Sequence, residues 1–277
     1  MWARVEPHLP DRSPQRGGRW ADHREVIEAI AWKYRTGSPW RDLPDELGSW
    51  KGAYSRFRRW TLDGTWQNVL TAVQADADAA GELDWLVTAV DSTVVRAHQH
   101  AAGLRPKRPR RREPADHGLG RSRGGLTTKL HLAADSCCRP MSLVVTAGQA
   151  GDAPQFETVM NAIRVPRQGS GRPRQRPRRV LGDKAYSSRA IRSWLRRRGI
   201  RATIPQPRDQ QEHRLRRGSH GGRPPAFDPV AYRQRNIAER CINRLKQWRG
   251  LAMRTDKLAV HYQAALTLAG ILLWAKP

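Results

Sequence analysis

The chain has 277 residues, and 51 Lys and Arg against 25 Asp and Glu give a formal net charge of +26. A sequence pI near 11.5 is far from that of a typical metabolic enzyme and indicates a polyanion partner, because neutralising phosphates releases counterions. A hydrophobic content of 38% with 11 Trp residues excludes wholesale disorder, and three cysteines are too few and badly spaced for a disulfide framework or a zinc site.

The first part of the chain, from Trp20 to about Leu70, has a helical pattern. Asp22 is the predicted N-cap of a first helix, which Gly37 ends. A short second helix is predicted over Trp40–Leu43, and Gly48-Ser49 opens a third.

The third predicted helix has an aromatic face and a basic face. Aromatic residues recur at i, i+4 and i+7 from Trp50, while Lys51, Arg58 and Arg59 fall on another side. Such a helix suits the recognition position of a helix-turn-helix that binds DNA. The alternative is a small helical domain whose Arg residues are merely solvated.

An acidic, Ala-rich stretch at residues 75–84 predicts a hinge. We therefore expect a helical DNA-binding domain at residues 1–78 and a second domain at 79–277. The second domain has predicted strands at Trp85–Val95, Leu126–Ala133, Met141–Ala147, Arg179–Asp183 and Ala202–Pro205, and helices at Ala153–Arg164, Ser187–Arg198, Pro229–Trp248 and Leu258–Trp274. This order indicates a mixed α/β fold.

The most apolar segment, Leu258–Trp274, is interrupted by His261, Gln263 and Thr267. It therefore predicts a buried helix rather than a membrane span, which needs about 18 or more uninterrupted apolar residues. Since the sequence also shows no signal-peptide pattern, we expect a cytoplasmic, nucleoid-associated protein with no membrane partner.

Three segments rich in Pro and Arg separate the predicted elements: Arg105–Arg123, Arg164–Arg179 and Arg214–Pro225. Pro at this density disfavours regular structure, so we expect basic loops. Each loop either contacts phosphates or is simply solvated, and the sequence does not separate these alternatives.

Two carboxylates stand at unusual places. Asp91 lies inside the apolar run of the first strand, and Asp183 ends the strand RRVLGD. A buried carboxylate is costly unless it is paired or binds a cation. If the two strands are neighbours, the acids converge, and a divalent ion, by default Mg²⁺, would hold both ionised.

The long predicted helix carries a polar stripe. Tyr232, Arg235, Glu239 and Lys246 fall within roughly 60° of one another at about 100° per residue. Apolar side chains, including Cys241, occupy the opposite side. By periodicity alone this pattern is typical of any amphipathic surface helix.

The order of these residues is more specific than their periodicity. YRQRNIAERCINRLK contains the pattern Y-x2-R-x3-E-x6-K, downstream of VDST and GDKAYSS. With GSPWRDLP, RAHQHAAG, TKLHL, GQAGDAPQFE and RLKQWRGLAMR, it resembles the DDE transposases of bacterial insertion sequences, in the insertion-sequence-five branch. The resemblance spans nearly the whole chain. Members of this family usually have a few more residues before WARVEP, so we expect an N-terminus that is either slightly truncated or misannotated.

The resemblance implies an RNase H-like catalytic domain in which Asp91, Asp183 and Glu239 hold two Mg²⁺ ions, with Mn²⁺ as the alternative ion. One metal would activate the nucleophile, and the other would stabilise the leaving 3′-oxygen. By the same resemblance, Tyr232, Arg235 and Lys246 would contact the terminal DNA.

Other candidates are weaker. Lys184 either contacts phosphate or neutralises Asp183, and the sequence does not separate the two. His98 and His100 are predicted to contact DNA or a loop rather than a metal. Asp152 and Glu157, at or within a predicted helix, are expected to be structural.

The function predicted is a transposase that binds the terminal inverted repeats of an insertion sequence and cuts and joins double-stranded DNA. Because two ends are processed together, we expect a homo-oligomer on DNA. One alternative is a non-enzymatic DNA-binding protein derived from such an element. The other is a metal-dependent nuclease without strand transfer.

Overall fold

The structure is a computed structural model that describes residues 1–13, 20–102 and 117–276. Most of the predicted basic loop Arg105–Arg123 therefore lies outside the described residues.

The N-terminal region is helical, as predicted. After two short 3₁₀ turns come α1 (His23–Thr36), α2 (Trp50–Leu62) and α3 (Thr65–Ala79). The Asp22 side chain caps α1 by accepting a hydrogen bond from the Arg24 N–H, and Gly37 ends the helix with a left-handed φ of 75°. Ser49 caps α2, while the predicted second helix is a 3₁₀ turn at Trp40–Asp42.

The predicted hinge at residues 75–84 is wrong over its first half, because α3 continues to Ala79. Its acidic residues have tertiary partners. Asp76 pairs with His8 at 2.6 Å, and Asp78 accepts hydrogen bonds from Trp85 at 2.7 Å and Arg174 at 2.6 Å. These bonds fix a segment whose composition is typical of a flexible linker.

One mixed sheet follows. Its strands, within the described residues, are β1 (Val87–Ala97), β2 (Gly120–Ser122), β3 (Gly125–Asp135), β4 (Pro140–Ala147), β5 (Arg179–Leu181), β6 (Arg201–Thr203) and β7 (Met253–Arg254). The strand β3 pairs with β1 and β4, antiparallel to both, whereas β5 runs parallel to β1 and β6 parallel to β5. The five predicted strands are confirmed, and β2 and β7 are short additions that the sequence pattern did not predict.

Helices pack against the sheet and connect its strands along the chain. They are α4 (Gln99–Ala102), α5 (Asp152–Asn161), α6 (Arg189–Arg197), α7 (Arg208–Arg216), α8 (Pro229–Tyr232), α9 (Asn236–Lys246), α10 (Arg249–Ala252) and α11 (Ala259–Trp274).

Two predictions about these helices need correction. The single long helix at Pro229–Trp248 is interrupted by a 3₁₀ turn at Arg233–Arg235, which separates α8 from α9. The basic segment Arg214–Pro225, predicted to be irregular, begins inside α7 and contains a 3₁₀ turn at Gly218–Gly221.

The helix α11 joins the N-terminal helices to the sheet. It is buried along almost its whole length, as predicted, and packs against α3 and β4. The indole of Trp274 and the amide of Gln74 both donate to the carbonyl oxygen of Pro140, at 2.7 and 3.1 Å. The N-terminal helices and the sheet thus share one continuous hydrophobic core. No helix among the described residues, α11 included, has the length and apolarity to cross a membrane.

A buried arginine holds the segment before α11 against the sheet. The side chain of Arg254, at the end of β7, is fully buried. Its guanidinium donates hydrogen bonds to the carbonyl oxygens of His117, Gly118, Asp256 and Lys257 at 2.7 to 3.1 Å and to the Thr128 hydroxyl at 2.6 Å. The planar fork with five N–H groups suits such a set of acceptors.

We expect Arg254→Lys to destabilise the protein by roughly 2–4 kcal/mol, because an ammonium group reaches fewer of these acceptors and leaves buried carbonyls unpaired. Calorimetric unfolding measures the loss, with the exposed Arg240→Lys as the matched control. Equal stability of the two variants would contradict this role of Arg254.

Candidate active site

The parallel pairing of β1 and β5 brings Asp91 and Asp183 together. Ala89 pairs with Leu181, and each acid lies two residues further along its chain. Because the strands run in the same direction, the two carboxylates emerge at matching positions. The strands that lead to the two acids are thus neighbours, although β5 ends at Leu181, two residues before Asp183.

The helix α9 adds Glu239 to this place. Its buried residues Ile237, Cys241 and Leu245 pack toward the sheet, with β1 and β3 as neighbours. This is the apolar side predicted for the helix. The opposite side therefore carries Glu239, and Arg235 precedes it by one turn.

Arg235 connects the first acid to the third. Its guanidinium donates to Asp91 Oδ2 at 3.1 Å, and a second nitrogen lies 2.7 Å from Glu239 Oε1. The side chain of Asp91 is 13% exposed and that of Glu239 is 46% exposed. A cation thus lies between two of the three predicted catalytic carboxylates.

The electrostatics of the site disfavour the ionised form of Asp91. Burial raises the pKa of its carboxyl, and the nearby charges of Asp183 and Glu239 raise it further. The Ser92 backbone N–H and Arg235 act in the opposite direction. For Arg235, burial lowers the pKa, but Asp91 and Glu239 outweigh it and the net pKa is raised.

The remaining motif residues lie around the carboxylates. Tyr232 is half-buried, and burial, together with the charges of Asp183, Asp91 and Glu239, raises the pKa of its phenol. Lys246 donates to the hydroxyl of Thr93 on β1 at 2.6 Å, and burial lowers the pKa of its ammonium.

The other predicted residues lie on separate elements. Lys184 follows Asp183 directly and is exposed, in a 3₁₀ turn. Lys51, Arg58 and Arg59 are exposed on α2, opposite the buried Phe57 side that was predicted as the inner face.

The two histidines that follow β1 do not join the carboxylates in any ligand cluster found among the described residues. The rings of His98 and His100 contact each other, with centroids 4.5 Å apart. Their predicted contact with DNA stays a prediction.

Sequence reasoning missed a polar cluster behind β1. Asp152 accepts hydrogen bonds from the Ser92 hydroxyl at 2.6 Å and the Lys129 ammonium at 3.1 Å, and His131 lies 3.8 Å from it. A signal was present in TKLHL, where Lys129 and His131 alternate with apolar residues and hence share one face of a strand. Asp152, expected from the sequence to be structural, was not predicted to make these contacts with β1 and β3.

We expect Asp91→Asn to increase the free energy of unfolding of the metal-free protein at pH 7.5 by about 0.5–2 kcal/mol, and hence to raise its melting temperature. The reason is that the substitution removes a carboxylate whose ionised form is disfavoured in the folded state. Since the folded-state pKa of Asp91 is raised, this advantage should shrink as pH falls toward the ordinary Asp pKa of about 3.9. Scanning calorimetry in EDTA measures it, with the exposed Glu157→Gln as control. A lower melting temperature for Asp91→Asn at pH 7.5 would contradict the account of the site.

Comparison with known proteins gives relatives from insertion sequences. The chain is 32% identical over 120 residues to the "Insertion element IS402 uncharacterized 16.2 kDa protein" of Burkholderia cepacia, covering 41% of this chain and 82% of that protein. It is 24% identical over 151 residues to the "Putative transposase for insertion sequence element IS6501" of Brucella ovis, covering 54% of this chain and 100% of that protein.

Among solved structures, the chain resembles that described as "Crystal structure of the Mos1 Strand Transfer Complex". The sequence identity is 14%, the TM-score is 0.26, and the match covers 85% of this chain and 82% of the other. A TM-score this low supports no conclusion about function.

Two sequence families match the chain and divide it between them. The family "Putative transposase of IS4/5 family" matches residues 1–70, and the family "Transposase DDE domain" matches residues 84–274. The mixed sheet, with β3 antiparallel and β5 parallel to β1, agrees with the RNase H-like fold implied by the resemblance, and the predicted fold class is confirmed. The chain belongs to the DDE transposases of insertion sequences, which are enzymes of the polynucleotidyl transferase type.

Proposed function

We propose that this transposase binds the terminal inverted repeats of its element and catalyses Mg²⁺-dependent cleavage and strand transfer of DNA. The observation that carries the proposal is that Asp183, just after β5, and Glu239, on α9, both lie within electrostatic range of Asp91 on the parallel strand β1. Three acids in a chain of net charge +26 would hold metal, while the surrounding basic residues would hold DNA.

A divalent metal ion is implied by membership of this family. The donor set fits it, because carboxylate oxygens are the preferred ligands of Mg²⁺ and also bind Mn²⁺. Asp91, Asp183 and Glu239 would hold the ions. When bound, the metal would activate the attacking hydroxyl and stabilise the leaving 3′-oxygen during in-line phosphoryl transfer.

Arg235 occupies part of this site. Among the described residues, no group of three or more ligand side chains is already arranged to hold a metal ion. Instead, the Arg235 guanidinium lies against Asp91 and Glu239. If these carboxylates held an ion, the guanidinium would be free to share its N–H groups with a DNA phosphate, which is an equivalent bidentate acceptor.

The other residues of the motif suit contact with the DNA end. The ammonium of Lys246 lies beside Thr93 on β1, two residues beyond Asp91, and Tyr232 lies within electrostatic range of all three acids. A phosphate held there would be near the carboxylates. Lys184, exposed beside Asp183, would contact the DNA backbone on the Asp183 side of the carboxylates.

The N-terminal region would bind the terminal repeat through α2, whose exposed basic face is presented by Lys51, Arg58 and Arg59. We keep residues 1–78 as the proposed DNA-binding part and 79–277 as the proposed catalytic part. Two ends must be processed together, so the active species would be a homo-oligomer on DNA.

We expect Asp91→Asn, Asp183→Asn and Glu239→Gln each to reduce end cleavage and strand transfer by at least about 10²-fold, because each removes a ligand of the metal ion whose positive charge would stabilise the transition state. Binding of a labelled DNA end should persist. Gel assays of cleaved and joined products in Mg²⁺ measure both, and Glu157→Gln is the matched control.

The three outcomes separate the candidate functions. Full activity of any of these folded variants would refute the proposed catalytic site. A wild-type chain that binds ends without cutting would be an element-derived DNA-binding protein, and one that cuts without joining would be a nuclease.

We expect the triple variant Lys51→Ala, Arg58→Ala, Arg59→Ala to weaken binding and to reduce the slope of log K against log salt by up to about 2.7, which is about 0.9 for each phosphate that the variant no longer neutralises. Binding to a labelled terminal repeat at several salt concentrations measures it.

The control removes equal charge from α6, through Arg189→Ala, Arg196→Ala, Arg197→Ala, all of which are exposed. If both triple variants change the slope equally, or neither does, α2 is not the DNA-binding helix.

A further inference from the structure

The polar cluster behind β1 is joined to the proposed catalytic site through the backbone. Asp91 and Ser92 are consecutive on β1, so their side chains point to opposite faces of the sheet. Asp91 meets Arg235 of the 3₁₀ turn before α9, whereas the Ser92 hydroxyl donates to Asp152 of α5 at 2.6 Å. The Ser92 N–H also donates to Asp91 Oδ1 at 2.8 Å.

The register of β1 and β3 brings the rest of the cluster to Asp152. His131 on β3 pairs with Ser92, and Lys129 pairs with Val94, so both side chains lie on the Ser92 face. Lys129 donates to the same Asp152 oxygen that accepts from Ser92, Oδ1, at 3.1 Å. Asp152 therefore ties α5 to two neighbouring strands at once.

The segment that carries the second acid also reaches this face. Tyr186, three residues after Asp183, is buried against Phe156 of α5, with ring centroids 5.8 Å apart. Burial, with the charges of Asp152, Asp91 and Asp183, raises the pKa of its phenol. The cluster thus lies between the segments that carry Asp91 and Asp183.

Asp152 is the first residue of α5, after the N-cap Gly151, and it lies in the acidic first turn of that helix. Its charge is satisfied by Lys129 and Ser92. Since burial lowers the pKa of His131 to about 4, that ring is neutral near pH 7 and adds no charge to the cluster.

We infer that Asp152 is a positioning residue for the transposase reaction. By holding the Ser92 hydroxyl, it fixes the point of β1 whose backbone N–H orients the Asp91 carboxylate. The inference rests on the proposed function, in which Asp91 binds the metal ion. Such supporting partners commonly change metal affinity by about 10–100-fold when they are removed.

The test uses Asp152→Asn in the full chain, with Glu157→Gln on the same helix as the control. We expect the Mg²⁺ concentration for half-maximal end cleavage to rise about tenfold, while affinity for the DNA end stays within twofold of wild type. Calorimetric titration with Ca²⁺ on the DNA-bound protein should show the same loss of metal affinity without any turnover.

Ser92→Ala removes the hydroxyl that connects Asp152 to the backbone beside Asp91. This variant provides the test if Asp152→Asn folds poorly. It should shift the Mg²⁺ requirement in the same direction, and the double variant should be no worse than the more affected single variant, because both break one connection.

The outcomes are distinguishable. If Asp152→Asn and Ser92→Ala match Glu157→Gln in Mg²⁺ requirement and Ca²⁺ affinity while Asp91→Asn is inactive, the positioning role is refuted and the proposed function stands. If the two variants lose activity only in proportion to folded protein, Asp152 is structural. If Asp91→Asn cleaves like wild type, the proposed function fails, and the positioning role fails with it.

Discussion

The burial of the Asp91 carboxylate, with two further acids within electrostatic range, is the constraint on which the rest of this structure depends. Asp91 is mostly buried, and burial together with Asp183 and Glu239 raises the pKa of its carboxyl. Such a group destabilises the fold unless a cation is close. In the structure that cation is Arg235, which contacts both Asp91 and Glu239. The proposed chemistry replaces it with a divalent ion.

The fold meets this constraint by holding each acid on a different, firmly packed element. Asp91 lies in the central strand β1, Asp183 follows the parallel strand β5, and Glu239 projects from α9, whose apolar side is buried. Behind the sheet, Asp152 ties α5 to β1 and β3. The helix α11 then joins this assembly to the N-terminal helices through one core.

The sequence singled out Asp91 and Asp183 because each stands against an apolar run, whereas Glu239 was singled out only by the motif Y-x2-R-x3-E-x6-K. The i, i+4 spacing also placed Arg235 and Glu239 on one side of a helix. It did not place Arg235 against Asp91, because they are 144 residues apart and meet only through tertiary packing. The contacts of Asp152 could not be predicted for the same reason, since they depend on the register that aligns Ser92 with His131.

The misplaced hinge and the broken long helix have a similar origin. Local composition predicted a linker where Asp76 and Asp78 find distant partners. Periodicity predicted one helix where a 3₁₀ turn at Arg233–Arg235 interrupts it. Local propensity is a weak guide in such segments, because tertiary context routinely overrides it.

The most direct test of the central claim is to measure Mn²⁺ affinity by electron paramagnetic resonance in the absence of DNA. The proteins compared are wild type, Arg235→Gln and Asp91→Asn. If the carboxylates form one metal site that Arg235 occupies, Arg235→Gln should bind Mn²⁺ about tenfold or more tightly than wild type, a change of about 1.4 kcal/mol. Asp91→Asn should bind it more weakly. Equal Mn²⁺ affinity in all three proteins would contradict the account.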